Sequence, residues 1–288
     1  MTQLLVAGSI ALDTLEGATG TIADELGGSA LYFALAASLI VPVSLTAPVG
    51  EDAFVRVGEL LDARRIDASL LSIVDAPTYR WQARQAHGRN FDLGSRDEIY
   101  DRWQPRLPAD FDGWAFVGSM RPSLQSAIAT ELRTAQLLAG DAMHSYLAME
   151  TLEVEAVVSH CDWFFANEEE FSVLAGGLDP EAFRAQRSLE GLCVKAGPDG
   201  STMYTAAGQM HMPALRQQRV VDPTGAGDAL AGGFLARWLS LERRHEALLD
   251  ALAHGAACAS LAIEEIGLRG LARATPQVLE ERVKALAL

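Results

Sequence analysis

Lysine is almost missing from this chain: among 288 residues only Lys195 and Lys284 carry an ammonium side chain. Neither follows a glycine, so there is no Walker A loop, where a lysine after glycine reaches the terminal phosphates. No G-x-G-x-x-G follows a strand-like run, which leaves a Rossmann dinucleotide site without its fingerprint. The three cysteines, Cys161, Cys193 and Cys258, lie far apart. They exclude a disulfide framework or a zinc cluster, and they suit the cytoplasm. The six histidines have no metal-like spacing. No run of ~18 apolar residues exists, so no membrane-spanning helix is expected. Met1 to Gly8 has no basic leader region and reads as a first strand, not a signal peptide. Positive charge is scarce throughout, with a formal net charge of −15. That argues against nucleic acid and anionic membranes as partners. An acidic protein that binds an anion must gather positive potential locally, from backbone amides, a few arginines or metal ions.

What the chain does have is alternation. Leu4–Ala7, Val43–Thr46, Ala115–Ser119, Leu137–Asp141, Trp163–Ala166 and Leu192–Lys195 are short apolar runs ending in small or polar residues. Helical patterns separate them, about Ser29 to Ile40, from Glu51 onward, about Ser123 to Arg133, after Asn167 and about Ala251 to Ile263. This order predicts an α/β protein with a doubly wound, mostly parallel sheet and helices on both faces. Thr78–Ala86 alternates differently, with Tyr79, Trp81 and Ala83 on one face and Arg80, Gln82 and Arg84 on the other. His87-Gly88-Arg89-Asn90 suits a hairpin turn. With residues 14–26 this segment forms a second, small sheet. No repeat or low-complexity segment stands out.

The most informative stretch runs from Val220 to Phe234. Pro223 prevents a helix from running straight through. Gly225 and Gly227 permit a tight turn, and Leu230, Phe234 and Trp238 then recur at helical spacing. Unpaired amides meet the positive end of a helix dipole there, which makes an anion site. Asp228 stands in the first turn. It either complements the dipole or takes a proton from a hydroxyl that attacks a phosphoryl group held by the amides. Gly232 and Gly233 each cost a helix about 1 kcal/mol relative to alanine, which predicts close packing at the helix start.

Asp222-Pro223-Thr224-Gly225-Ala226-Gly227-Asp228-Ala229-Leu230-Ala231-Gly232-Gly233 resembles the C-terminal signature of the ribokinase-like (PfkB) family of carbohydrate and nucleoside kinases. Weaker likenesses extend from residue 4 to about residue 270. The resemblance implies one ribokinase-like domain over 1–288, with lid segments at about 13–26 and 78–105. It implies ATP-dependent phosphorylation of a hydroxyl on a small sugar or sugar-like substrate. Asp228 is then the base, with Gly225, Ala226 and Gly227 as the anion hole. Asp13 matches the sugar-contacting aspartate, and Gly27, Gly28, Tyr32 and Asp141 join it around the substrate. The nucleotide falls to Asn167, Glu170, Lys195, Gly197, Gly200 and Thr224. Asn167 and Glu170 match an Asn-x-x-Glu motif that acts on Mg²⁺ through water; a helix cap explains the same pair. A monovalent cation such as K⁺ is expected near Asp222, Thr224 and the loop at Gly267, and the lid offers a homodimer surface. After the glycine pair the chain reads Ser29-Ala30-Leu31-Tyr32, where ribokinase-type chains have Lys-Gly-Ala-Asn, so ribose itself is not implied. A nucleoside kinase, suggested by Tyr32 and Leu261–Gly267, is the alternative. A non-catalytic sugar- or nucleotide-binding regulator is the second.

Overall fold

The period-two pattern of the apolar runs decides the architecture. In the computed structural model, which describes residues 3–17, 20–86, 89–147, 149–215 and 220–286, Leu4–Ala7 becomes a strand with all four residues buried. Leu4 and Val6 join one hydrophobic core, and Leu5 and Ala7 join a second on the opposite face. A strand buried on both faces reads as a continuous apolar run, as parallel strands in layered α/β proteins do.

The strands, in chain order, are β1 (Leu4–Ala7), β2 (Ala11–Gly17), β3 (Gly20–Gly27), β4 (Val43–Thr46), β5 (Pro48–Gly50), β6 (Ser72–Val74), β7 (Tyr79–Ala86), β8 (Arg89–Arg96), β9 (Trp114–Val117), β10 (Leu137–Asp141), β11 (Trp163–Asn167), β12 (Gly191–Lys195), β13 (Ser201–Thr205) and β14 (Gly208–Met212). The main sheet has the order β14-β13-β12-β11-β10-β9-β1-β4. It is parallel from β4 to β12, and the β13–β14 hairpin closes one edge antiparallel.

The helices are α1 (Ser29–Ala37), α2 (Glu51–Ala63), α3 (Pro122–Glu131), α4 (His144–Leu147), α5 (Thr151–His160), α6 (Glu168–Ala175), α7 (Pro180–Gln186), α8 (Ala226–Ser240), α9 (Leu248–Ala262), α10 (Arg269–Arg273) and α11 (Pro276–Ala285). Residues of α1, α2, α8, α9 and α11 share a core with Leu4, Phe116 and Phe165. Those of α3, α5, α6 and α7 share one with Leu5, Val117 and Phe164. The expected two-faced sheet is therefore present. Phe33 of α1 stacks on Phe116 with ring centroids 4.4 Å apart.

Gly232 and Gly233 do what their helix cost implied. A Cβ at Gly232 would lie 2.5 Å from the Phe33 carbonyl of α1, and one at Gly233 2.9 Å from the His254 carbonyl of α9. No larger residue lets α8 sit between these two helices.

The small sheet, ordered β3-β2-β7-β8, is the predicted second sheet. Its last strand ends at Arg96, short of the expected residue 105. Ile99, Tyr100 and Trp103 are buried in the main body's second core. Their apolar side chains fill that core, which ends the projecting segment early. The tip of the expected hairpin turn, His87-Gly88, lies outside the described residues.

Candidate active site

The parallel strands β1, β9, β10, β11 and β12 all end on one side of the main sheet, where ligands bind in open α/β folds. A cleft of about 1090 Å³ opens there, between that sheet edge, the small sheet and the N-terminus of α8. Two neighbourhoods make it up.

The first is built by β1, β2, β9 and β10. After β1 the chain turns at Gly8-Ser9, and Ser9 ties down α1. Ser29 N donates to Ser9 Oγ at 3.0 Å, Ser9 N to Ser29 Oγ at 3.1 Å, and Ser29 Oγ to the Ser119 carbonyl at 2.9 Å. Asp13, on β2, lines the cleft although only 3% exposed. Burial, then the nearby Asp222 and Glu25, raise its pKa well above the ordinary carboxylate range. Gly28 lines the cleft, while Gly27 stands behind Asp13: a Cβ there would meet the carboxylate at 2.1 Å. Tyr32 is 1% exposed and does not reach the cleft. Its ring lies under Gly225, where a Cβ would sit 2.1 Å from Cγ. It supports the anion loop from below. Tyr79, Trp81, Met120, Met143 and Tyr146 complete this wall. Sequence reading placed Tyr79 and Trp81 on one lid face but gave them no ligand role. The two methionines and Tyr146 carried no pattern.

The second neighbourhood is the glycine-rich turn. Gly225 is the N-cap of α8 with φ +72°, a left-handed conformation that suits glycine. The amides of Gly225, Ala226 and Gly227 have no acceptor among the described residues. Helix geometry leaves such amides unpaired, and they lie at the N-terminal end of the α8 dipole, an arrangement able to bind an anion. Asp228 follows in the first turn and lines the cleft.

Asp228 faces Asp141, the last residue of β10. Both Oδ1 atoms are buried without a hydrogen-bonding partner among the described residues. Burial raises both pKa values, most strongly for Asp141, where the charge of Asp228 adds to it. Two buried carboxylates in contact share one proton, because like charges disfavour double ionisation. Burial thus favours a pair that carries one proton and one charge. Lys195, at the end of β12, favours the ionised form of both. Its own pKa is raised by Glu170, Asp141 and Asp228 against the opposing effect of burial. A Cβ on Gly227 would lie 2.7 Å from Lys195 Nζ, so the one lysine of the cleft lies against the anion loop.

Asn167 and Glu170 form a complete capping box at α6. Glu170 N donates to Asn167 Oδ1 and Asn167 N to Glu170 Oε2, both at 2.8 Å. Both also line the cleft. Only Oε2 of Glu170 serves the cap. Gly197 and Gly200 bracket a short 3₁₀ turn after β12 that lines the same half, with Ala256, Ala259 and Ile263 of α9 and its end opposite. Thr224 also lines it, and its hydroxyl donates to Asp222 Oδ1 at 2.6 Å. Asp222, fully buried, accepts also from Thr224 N, Gln85 Nε2 and Gly267 N.

The fold and cleft define a doubly wound α/β protein with a small sheet beside a helix-N-terminal anion site and an acidic pair. Residues 13–274 match the pfkB family carbohydrate kinase domain, and the chain belongs to that family. It is similar to a nucleoside kinase of Methanocaldococcus jannaschii, 31% identical over 83 residues, 29% of this chain and 28% of that protein. It is similar to a 2-dehydro-3-deoxygluconokinase of Thermoproteus tenax, 36% identical over 130 residues, 43% of this chain and 38% of that one. These matches thus span about a quarter to two-fifths of the curated relatives' lengths. The fold likeness covers the whole chain. A crystal structure of the M. jannaschii nucleoside kinase has TM-score 0.81 at 21% identity, covering 99% of this chain and 98% of that one. A Burkholderia thailandensis nucleoside kinase in complex with inosine has TM-score 0.83 at 18% identity, with the same coverage.

Proposed function

We propose that this protein is an ATP-dependent phosphotransferase that phosphorylates a hydroxyl of a small sugar or sugar-like substrate. The observation that carries the reading is Asp228, a carboxylate in the first turn of the helix whose free N-terminal amides line the same cleft. A base and an anion hole that adjoin suit in-line transfer from a phosphate to a hydroxyl. Asp228 takes the hydroxyl proton. The Gly225, Ala226 and Gly227 amides stabilise charge on the transferred group. Protonated Asp141 holds Asp228 ionised and, with Asp13 and Gly28, lines the acceptor half. The nucleotide occupies the half lined by Asn167, Glu170, Lys195, Gly197, Gly200 and Thr224.

Among the described residues no three His, Cys, Asp or Glu side chains form a metal cage. Mg²⁺ needs none, since it keeps waters and substrate phosphates and takes few protein ligands. Glu170, with Oε1 outside the cap, and Asn167 would hold it through water. When bound, the ion neutralises phosphate charge. A monovalent cation such as K⁺ beside Asp222 would share that carboxylate with four donors. The partly exposed Phe91 and Leu93 of β8 support a homodimer through the lid. Three free, buried cysteines support a cytoplasmic setting, and no helix of the described residues is long and apolar enough to cross a membrane.

A nucleoside acceptor is the second reading, favoured by the wall of Tyr79, Trp81, Met120, Met143 and Tyr146, which suits a planar base. The deciding experiment measures ADP release from Mg-ATP with pentoses, hexoses, deoxy-keto acids and nucleosides. We expect one class to react and Asp228→Asn to lower turnover about 10²–10⁴-fold. Wild-type turnover in that variant would discard the base assignment. Binding without transfer across the panel would favour a regulator.

A further inference from the structure

Two side chains of the small sheet cross to the anion loop. Gln85, near the end of β7, places Nε2 2.6 Å from Asp222 Oδ1, and Asn90, at the start of β8, places Nδ2 2.8 Å from Thr224 Oγ1. The directions of these bonds follow from the network. Asp222 receives N–H bonds at both oxygens, from Thr224 at 3.0 Å and Gly267 at 2.9 Å. Thr224 gives its hydroxyl proton to Asp222, so its oxygen is left as an acceptor. Gln85 and Asn90 must then both present their NH₂ groups, the donor ends of their amides. Asp222 and Thr224 lie immediately before Gly225, the N-cap of α8. Whatever holds them holds the start of the anion-binding turn.

Asn90 Oδ1 is buried with no partner among the described residues. Asn90 lines the cleft, so a donor group on a bound molecule can satisfy that atom. Closing over a filled cleft is then better compensated than closing over an empty one. Arg80–Asp52 and Glu25–Arg269 also join the small sheet to the main body, while Arg89 to Glu169 joins two well-exposed side chains and adds little.

We propose that Gln85 and Asn90 are positioning residues that fasten the lid hairpin to the Asp222–Thr224 segment, so that lid closure sets the anion-binding amides. Neither touches the reacting atoms; both act through Asp222 and Thr224. The consequence for rate rests on the phosphotransferase reading, whereas the fastening itself does not.

The test uses the full chain with Gln85→Leu, Gln85→Glu and Asn90→Ala, and begins without ligand. Hydrogen exchange of 79–96, corrected for intrinsic rates, reports the lid. Exchange should quicken about 10-fold or more in Gln85→Leu, as expected for a hydrogen bond to a charged group. Gln85→Glu sets a second carboxylate against Asp222. It should open the lid at pH 8 and recover towards wild type at pH 5, where one proton lets the two oxygens bond. Gln85→Leu should not recover. The other ionisable groups near Asp222 are Asp13 on β2, Glu25 on β3 with its partner Arg269 on α10, Tyr32 on α1 and Asp228 on α8. They are common to all variants. Turnover of the first acceptor found in the panel should fall about 10-fold or more in kcat for Gln85→Leu, and Gln85→Glu should recover with the same pH sense.

Wild-type lid exchange in Gln85→Glu at pH 8, or identical pH behaviour of the Glu and Leu variants, would overturn the fastening. Faster lid exchange with unchanged kcat would overturn the positioning role. If wild type turns over no acceptor, the functional reading falls and exchange alone decides the fastening. Should a Gln85 variant lose protection across the main sheet, Asn90→Ala carries the same comparison from the β8 side.

Discussion

Strands β1 and β8 belong to one chain and are held by different forces. All four residues of β1 are buried, whereas seven of the eight residues of β8 are exposed. The main sheet is secured by volume, with stacked and edge-on aromatics such as Phe33, Phe116 and Phe165 filling the space between strands and helices. The small sheet is secured at identifiable polar points. Arg80 bridges Asp24 and Asp52, Asp52 accepts from the Thr78 amide and hydroxyl, and Gln85 and Asn90 reach the anion loop. Burial is non-directional and hard to undo in part. Directional bonds can be exchanged one at a time. The difference places Asp228, Asp141 and Lys195 on the volume-packed body and the polar fastenings on the small sheet.

The largest effect expected from this contrast is in the main sheet. Phe116→Ala should cost about 3–5 kcal/mol of unfolding free energy by urea titration. The half-exposed Phe91→Ala on β8 should stay within about 0.5 kcal/mol of wild type. Equal losses would erase the distinction between the two sheets.

A smaller effect concerns the acidic pair. Because burial raises the Asp141 pKa, its folded state holds a proton more tightly than the unfolded chain. Its contribution to stability is therefore complete at low pH and is lost as pH rises through the raised folded value. Asp141→Asn removes that loss. The variant should gain on the order of 1 kcal/mol at pH 8 and nothing at acid pH, by thermal unfolding at both. A neutral amide donor in place of protonated Asp141 should leave the acid limb of kcat where it is. A limb that moves to lower pH would show that Asp141 is ionised in the wild-type enzyme.

The smallest effect belongs to the lid's base. Arg80→Ala removes both ion pairs at a partly exposed site and should cost at most about 1 kcal/mol. A loss approaching that of Phe116→Ala would mean that the small sheet is part of the cooperative core.

Much of the frame was legible locally. Val43–Thr46 and Leu137–Asp141 are strands with the expected bounds, and Asn167 with Glu170 makes the cap their spacing suggested. The Gly225–Asp228 turn is likewise a matter of neighbouring residues. Tyr32 was less legible, because its helix says that it is buried but not that its ring underlies Gly225. The lid's end at Arg96 was missed because Ile99, Tyr100 and Trp103 find their partners in another layer.

Sequence alone therefore determined what rests on period and local turn chemistry: the alternating layers, the glycine-rich turn and the acidic residue at the start of α8. Only the tertiary structure decided which groups meet. Gln85 and Asp222 are 137 residues apart, and Asn90 and Thr224 are 134 apart. No local preference encodes such a pair. Its geometry follows from the crossings of a parallel sheet, which carry distant strand ends to one edge and so bring Asp141, Lys195 and Asp228 into one cleft.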